Sequence, residues 1–366
     1  MSKVKLSEIG NFKNGLNFAA QSVSSGYKMI GIPDFEERYI ADLQGLKEVD
    51  KKIVSEEYLL QENDILFVRS NGNKNLVGRT MIIPKTDEII TFSGFCIRFR
   101  ITSDRINPLY MLYLFKSPVF RKQFSNTQQT SISNLNQQVL GEFQFELPSL
   151  NVQNQIVETI HTVTAKIENN KKINDNLQQM AYAEYMHMFY SKSPNAKLGD
   201  VIVEHSKSSV QVGEAKEQPG NVPFFTSGDA IYRWTEPFVS DRSIFLNTGG
   251  NADVKFYVGD AAYSTDTWCI SGKDNLSDYV YLMLKSIKPE LDQKFFQGTG
   301  LKHLQKPLLK DRLIYIPSNA ELETFNADIQ PWLSMVSDNI RESEELTALR
   351  DWLLPMLMNG QATIGD

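Results

Sequence analysis

The sequence predicts an α+β protein: two β-rich domains, each followed by a long α-helix, the helices pairing as an antiparallel coiled coil under a pseudo-two-fold internal repeat. Three observations predict it. A chain of 366 residues is long enough to bury two cores of ordinary size. The segment Thr130 to Pro148 recurs at Thr299 to Pro317 without a gap, with Ile132, Leu135, Leu140, Phe143 and Leu147 falling on Leu301, Leu304, Leu309, Arg312 and Ile316. Immediately after each copy the apolar residues take up a helical spacing in the same register.

The elements follow in order. The first β-rich domain covers residues 1–148 and opens on Lys5-Leu6-Ser7-Glu8-Ile9. Its apolar and polar residues alternate between Gly, Asn and Pro, as strands and turns do. Asp64 to Arg69 is expected as a strand running into the turn Ser70-Asn71-Gly72-Asn73. The first long helix lies within 149–191, from about Asn151 to about Tyr190, with Pro194 beyond it. The second domain, 192–317, opens on Lys197-Leu198-Gly199-Asp200-Val201, and its strand Ser243 to Asn247 runs into Thr248-Gly249-Gly250-Asn251. The second long helix, within 318–359, is expected from about Ala320 to Leu354, where Pro355 ends or kinks it.

In the first helix Ile156, Ile160, Val163, Ile167, Asn170, Asn174 and Leu177 step by alternating fours and threes. In the second, Phe325, Ile329, Trp332, Val336, Asn339, Ser343 and Leu346 repeat those steps. That is a heptad seam. One such stripe would ordinarily be core packing. Two in identical register, both turning polar at the same level, point to a dedicated helix pair in which Asn fixes register.

Composition narrows the function. With 41% hydrophobic and 22% charged residues the chain is neither disordered nor collagen-like. No run approaches the roughly 18 apolar residues of a membrane span, and the first residues lack a signal core, so a cytoplasmic protein is expected. Cys96 and Cys269 sit in strand-like runs and are expected as buried thiols. Phosphate-loop, dinucleotide and adenine-methyltransferase signatures are missing, and His161, His187, His205 and His303 have no metal-ligand spacing. No catalytic residue, metal or cofactor is therefore expected in this chain. Pro33-Asp34-Phe35-Glu36-Glu37-Arg38 lacks the strand that follows a nuclease acidic cluster and reads as a solvated turn.

Polar turns are usually only turns, but several here carry the chemistry of base reading: Arg, Asn, Gln, Ser and Thr with Lys beside them. Arg69, Ser70, Asn71, Asn73, Lys74, Asn75 and Arg79 form the first group, matched in the second half by Asn247, Thr248, Asn251 and Lys255. Gln128, Gln129, Thr130 and Ser131 form another, matched by Thr299, Lys302 and His303. A net charge of -6 argues against a free-standing nucleic-acid binder, whose affinity comes largely from Lys and Arg on phosphates. A partner subunit would then supply positive charge.

The doubled order of variable strand-rich domain, Thr-Ser-like phrase, strand ending in Leu-Pro or Ile-Pro, and long helix resembles the specificity (S) subunit of type I restriction-modification enzymes over essentially the whole chain. Phe67-Val68-Arg69-Ser70-Asn71-Gly72, leading to Leu76-Val77-Gly78-Arg79, is similar to a run common in that family's target-recognition domains. Where the family often has an acidic residue and Gln at the helix start, this chain has Val152-Gln153 and Glu321-Leu322. The resemblance implies that each domain reads one half of a bipartite double-stranded DNA target while the helices set the spacing. It also implies two methyltransferase (M) subunits using S-adenosylmethionine, and motor-nuclease (R) subunits adding ATP- and Mg-dependent cleavage. The alternatives are a specificity subunit of a methylation-only or related defence complex, and a coiled-coil scaffold carrying two β-rich protein- or carbohydrate-binding modules.

Overall fold

The structure is a computed structural model that describes residues 2–17, 26–35, 39–73, 76–117, 120, 135–218, 220–298, 300–358 and 361–362. It divides into two compact units: Met1–Ala165 with Thr347–Asp366 (unit 1), and Lys166–Leu346 (unit 2). The division passes through both long helices, because each unit's core takes in a stretch of each.

Unit 1 holds β1 (Ser2–Lys5), β2 (Gly10–Asn14), β3 (Tyr27–Ile30), β4 (Lys47–Val49), β5 (Ile65–Val68), β6 (Thr80–Ile82), β7 (Ile90–Phe92), β8 (Cys96–Ile101) and β9 (Gln144–Leu147). They form a four-stranded sheet β2-β8-β5-β6, a three-stranded sheet β4-β3-β7 and a pair β1-β9. All four residues of β5 are buried, as a continuous apolar run in a central strand should be. A helix Pro108–Lys116 starts with proline in its first turn behind the N-cap Asn107, whose Oδ1 accepts from the Leu109 amide. Its buried face, Tyr110 to Phe115, packs on Ile65, Phe67 and Phe99, and Ile156, Val157, Ile160, Leu354 and Leu357 of the long helices join that core.

Unit 2 holds β10 (Ala196–Lys197), β11 (Ile202–Glu204), β12 (Val222–Phe225), β13 (Tyr232–Trp234), β14 (Arg242–Asn247), β15 (Val254–Val258), β16 (Ala262–Tyr263), β17 (Thr267–Gly272), β18 (Phe296–Gln297), β19 (His303–Leu304) and β20 (Leu313–Ile314). Its sheets are β11-β17-β14-β15, β13-β12-β16, and the pairs β10-β20 and β18-β19. Apart from β18-β19, this is the strand order of unit 1 repeated. The parallel strand pairing recurs as well, β3 with β7 and β12 with β16. The internal repeat seen in the strand-to-helix segments thus extends through the β-rich domains.

The long helices are Leu150–Phe189 and Asn319–Met358, 40 residues each. Both start at a serine cap at the repeat offset. The Ser149 and Ser318 carbonyls accept from Gln153 and Leu322, and their hydroxyls accept from Val152 and Glu321. The second helix does not end at Pro355. It runs one turn further, because Leu354 and Leu357 are buried in the unit 1 core and hold that turn in place.

The seam is also less regular than a heptad. Thr164 and Leu333 are buried while Val163, Ile167, Leu177, Trp332, Asn339 and Leu346 are only half-buried. The stripe drifts because a straight helix turns every 3.6 residues, and here long stretches of it face a domain core and not a second helix. Within unit 2 the polar layer joins the two helices. Asn170 donates to Ser343 Oγ (3.3 Å) and Glu342 (2.7 Å), Asn339 donates to Asn174 Oδ1 (2.8 Å), and Asn174 donates to the Val336 carbonyl (3.2 Å). Rising numbers in one helix meet falling numbers in the other, so the pairing is antiparallel.

Two smaller expectations change. Phe35 is buried among Ile30, Leu66 and Phe92, so the start of its segment is anchored and not solvated; Asp34 accepts from the Gly31 amide, and Glu36, Glu37 and Arg38 lie outside the described residues. Leu301, matched to an apolar position of the repeat, is 66% exposed. Cys96 and Cys269 are buried, free thiols, and burial pushes each up to about 12.

Candidate nucleic-acid interface

β5 and β14 hold the same place in their sheets, and the chain leaving each is fixed in the same way. In unit 1 the Arg69 amide donates to the Phe95 carbonyl (2.7 Å), Cys96 to Ser93 (2.8 Å), Ser93 to Ile30 at the end of β3 (2.9 Å), and Gly94 to Leu16 (2.8 Å). In unit 2 Thr248 donates to Asp266 (3.0 Å), Thr267 to Ser264 (3.1 Å), Ser264 to Phe225 at the end of β12 (2.9 Å), and Thr265 to Val210 (2.9 Å). These matched backbone bonds make Arg69 the counterpart of Thr248, and the turn Ser93-Gly94-Phe95 the counterpart of Ser264-Thr265-Asp266. One frame carries different side chains.

In unit 1, Arg69 is half-buried, and its Nη1 donates to the Gly94 carbonyl at 3.3 Å. It does not pair with Asp64, which is held by both Nε (2.8 Å) and Nη2 (2.7 Å) of Arg100. Asn71 Oδ1 accepts from the Asn73 amide (2.8 Å), closing the turn with a side chain. Ser70 and Asn71 are half-buried and Asn73 is exposed. Arg79 is half-buried on the returning chain, its carbonyl accepting from the Val68 amide (2.9 Å). Beside this group Phe95 is 57% exposed.

In unit 2, Asn247 is buried and braces the turn through a bond from Nδ2 to the Asn251 carbonyl (3.1 Å). Thr248 Oγ1 donates to the Asp266 carbonyl (2.9 Å). The two groups that sequence alone left separate here meet. Gly250 donates to the Lys302 carbonyl (3.0 Å) and Leu304 donates to the Thr248 carbonyl (3.0 Å), bridging Gly249 to His303. They border a cleft of about 500 Å³ whose wall includes Thr248, Asp266, Trp268, His303, Lys207 and Lys306. Lys306 lies over the Trp268 ring, 5.1 Å from its centre, and burial pulls its ammonium below the usual lysine value. His205, on the same wall, is likewise pulled down by burial.

Lys255 stands apart from this group. Its ammonium is taken up by the carbonyls of Thr226 (2.7 Å) and Gly228, which makes it a brace between β15 and the loop after β12. Lys302 and Asn251 are exposed, Lys302 3.6 Å from Asp292. Lys74, Asn75, Gln128, Gln129, Thr130, Ser131 and Thr299 lie outside the described residues. Sequence reasoning passed over Phe95, Asp266, Lys207 and Lys306, which carry no local motif and join the turns only through strand pairing. Among the described residues no cluster of His, Cys, Asp or Glu could hold a metal ion, and no helix is long and apolar enough to cross a membrane.

Residues 1–179 match the family model described as the type I restriction modification DNA specificity domain. The chain is 21% identical over 325 residues to the type I restriction enzyme MjaIX specificity subunit of Methanocaldococcus jannaschii, covering 76% of this chain and 74% of that protein. It is 29% identical over 126 residues to the StySPI specificity subunit of Salmonella potsdam, covering 34% of this chain and 27% of that protein. In fold it is similar to the crystal structure of the type I restriction-modification system S subunit from M. genitalium, with a TM-score of 0.62 and 14% identity over 98% of this chain and 96% of that one. Residues 1–179 thus carry a type I restriction modification DNA specificity domain, and over three quarters of its length the chain is similar to a type I restriction enzyme specificity subunit.

Proposed function

We propose that the two units read the two halves of a bipartite double-stranded DNA target, unit 1 through the turn after β5 and unit 2 through the turn after β14 with His303. The observation that carries this reading is the matched frame with unmatched residues: Arg69 and Phe95 stand where Thr248 and Asp266 stand in the other unit. A device that reads two different sequences needs that combination. Lys207 and Lys306 at the rim of the unit 2 cleft suit phosphates, while Thr248 and His303 suit base edges. The long helices, each about 60 Å at 1.5 Å per residue, set the number of unread base pairs.

The chain carries a net charge of -6, so tight binding requires basic partners. Two methyltransferase subunits would clamp the DNA and modify adenines with S-adenosylmethionine, with motor-nuclease subunits adding ATP- and Mg-dependent cleavage, all in the cytoplasm. The test is methylation mapping with the assembled complex. Thr248→Ala and His303→Ala should each relax specificity at one position of the second half-target by about 1–3 kcal/mol and leave the first half unchanged. Unchanged specificity in both variants would remove the cleft from the reading surface.

A further inference from the structure

Phe95 is an unusual residue to leave in water. Most phenylalanines of unit 1 lie in its cores, several in ring contact, yet Phe95 is 57% exposed at the tip of the turn between β7 and β8. It is not loosely held. Its amide donates to Ser93 Oγ (3.3 Å), its carbonyl accepts from the Arg69 amide (2.7 Å), and the Arg69 guanidinium reaches the neighbouring Gly94 carbonyl (3.3 Å). Gly94 permits the close approach of the chain after β2, since a Cβ there would fall 1.9 Å from Asn17 Oδ1. The turn therefore presents one aromatic ring on a braced backbone, beside Arg69, Ser70 and Asn71.

At the matched position unit 2 carries Asp266, an exposed carboxylate on the wall of its cleft. The position is constant in backbone and changes from apolar to acidic between the two units. A residue needed only to build the turn would not have to change character, whereas a residue facing different bases would. In the major groove the one apolar feature that distinguishes a base is the C5-methyl of thymine, and Phe is among the side chains that contact it.

We propose that Phe95 is a specificity-determining residue of unit 1 that recognises a thymine by apolar contact with its C5-methyl group. This rests on the reading that unit 1 faces DNA through the turn after β5. Burying one methyl group against the ring corresponds to about a fourfold gain in affinity for thymine over uracil at that position.

The test uses the chain assembled with its methyltransferase subunits and its mapped target, with each thymine of the first half-target replaced in turn by deoxyuridine. One replacement should weaken wild-type binding about fourfold. Phe95→Ser should bind both duplexes equally, Phe95→Leu should keep most of the preference, and replacements in the second half should be indifferent to either variant. Phe95 is exposed, so both variants should fold, and retained binding to the second half-target checks this directly. Equal sensitivity in wild type and Phe95→Ser, or no sensitive position, would overturn the proposal while unit 1 still reads its half. Specific binding that ignores the first half-target altogether would instead sink the underlying reading.

Discussion

At the scale of the residue, each unit buries an aspartate against an arginine: Asp64 with Arg100 in unit 1, Asp278 with Arg242 in unit 2. Arg242 also donates to the Gln330 carbonyl (2.8 Å) and Ser334 Oγ (2.7 Å), tying β14 to the second long helix. Asp278 is inaccessible and its Oδ2 has no hydrogen-bond partner. Burial therefore outweighs Arg242 and pushes its carboxyl up to about 6. In the unfolded chain the group titrates near 3.9. Its contribution is full below that value and is lost as pH rises to about 6, because in that window the unfolded chain has released its proton while the folded state still holds one. Wild type should thus lose about 2 kcal/mol between pH 4 and 7 relative to Asp278→Asn, as read from urea midpoints. Parallel curves for the two proteins would contradict this. Contacts of this kind were the least legible in the sequence. Asp64 and Arg69 share one stretch of strand, which at about 3.3 Å per residue sets them about 16 Å apart, and the partner of Asp64, Arg100, comes from the neighbouring β8.

At the scale of the element, the two helix starts solve one problem with different residues. In unit 1 the buried Gln153 side chain accepts from the Asn107 amide (2.9 Å) and donates to the carbonyls of Arg105 (2.9 Å) and Pro148 (3.0 Å). In unit 2 Glu321 accepts from the Ser318 amide (2.9 Å) and hydroxyl (2.8 Å), a capping box. Those bonds hold its carboxyl down at about 2. The departure from a shared acidic-Gln signature is thus a change of partner and not a missing cap. Gln153→Ala strands three polar groups in and around a buried junction and should destabilise unit 1 by about 3 kcal/mol in urea unfolding, whereas a loss below about 1 kcal/mol would show that water replaces the side chain. Helix positions and the polar layer were legible because spacing and repeat depend on local sequence; the drift of the seam was not, since it depends on which core each turn faces. If the helices set the target spacing, four residues inserted in phase near Lys171 add about 6 Å. At about 3.4 Å per base pair the unread spacer in the methylated target should grow by one or two base pairs. A folded, active variant with its spacer unchanged would contradict that role.

At the scale of the whole molecule, the chain is one plan used twice. Constant offset in the strand-to-helix segments made the repeat visible in sequence. Its continuation through the β-rich domains was not visible, because β3 to β8 and β12 to β17 share order and hydrogen bonding but few residues. For the same reason the turns after β5 and β14 could be picked out as polar and strand-linked, while Phe95, Asp266 and the approach of His303 to Thr248 required the folded chain. The acidic balance, -6 overall, fits a reader that works inside a larger assembly. The central claim is that the two units read independently. Its most direct measurement is methylation mapping after residues 1–148 are exchanged for the corresponding region of another specificity subunit. If the units read independently, one half of the target changes to the donor's sequence and the other half stays as it was; a change in both halves together, or in neither, would contradict it.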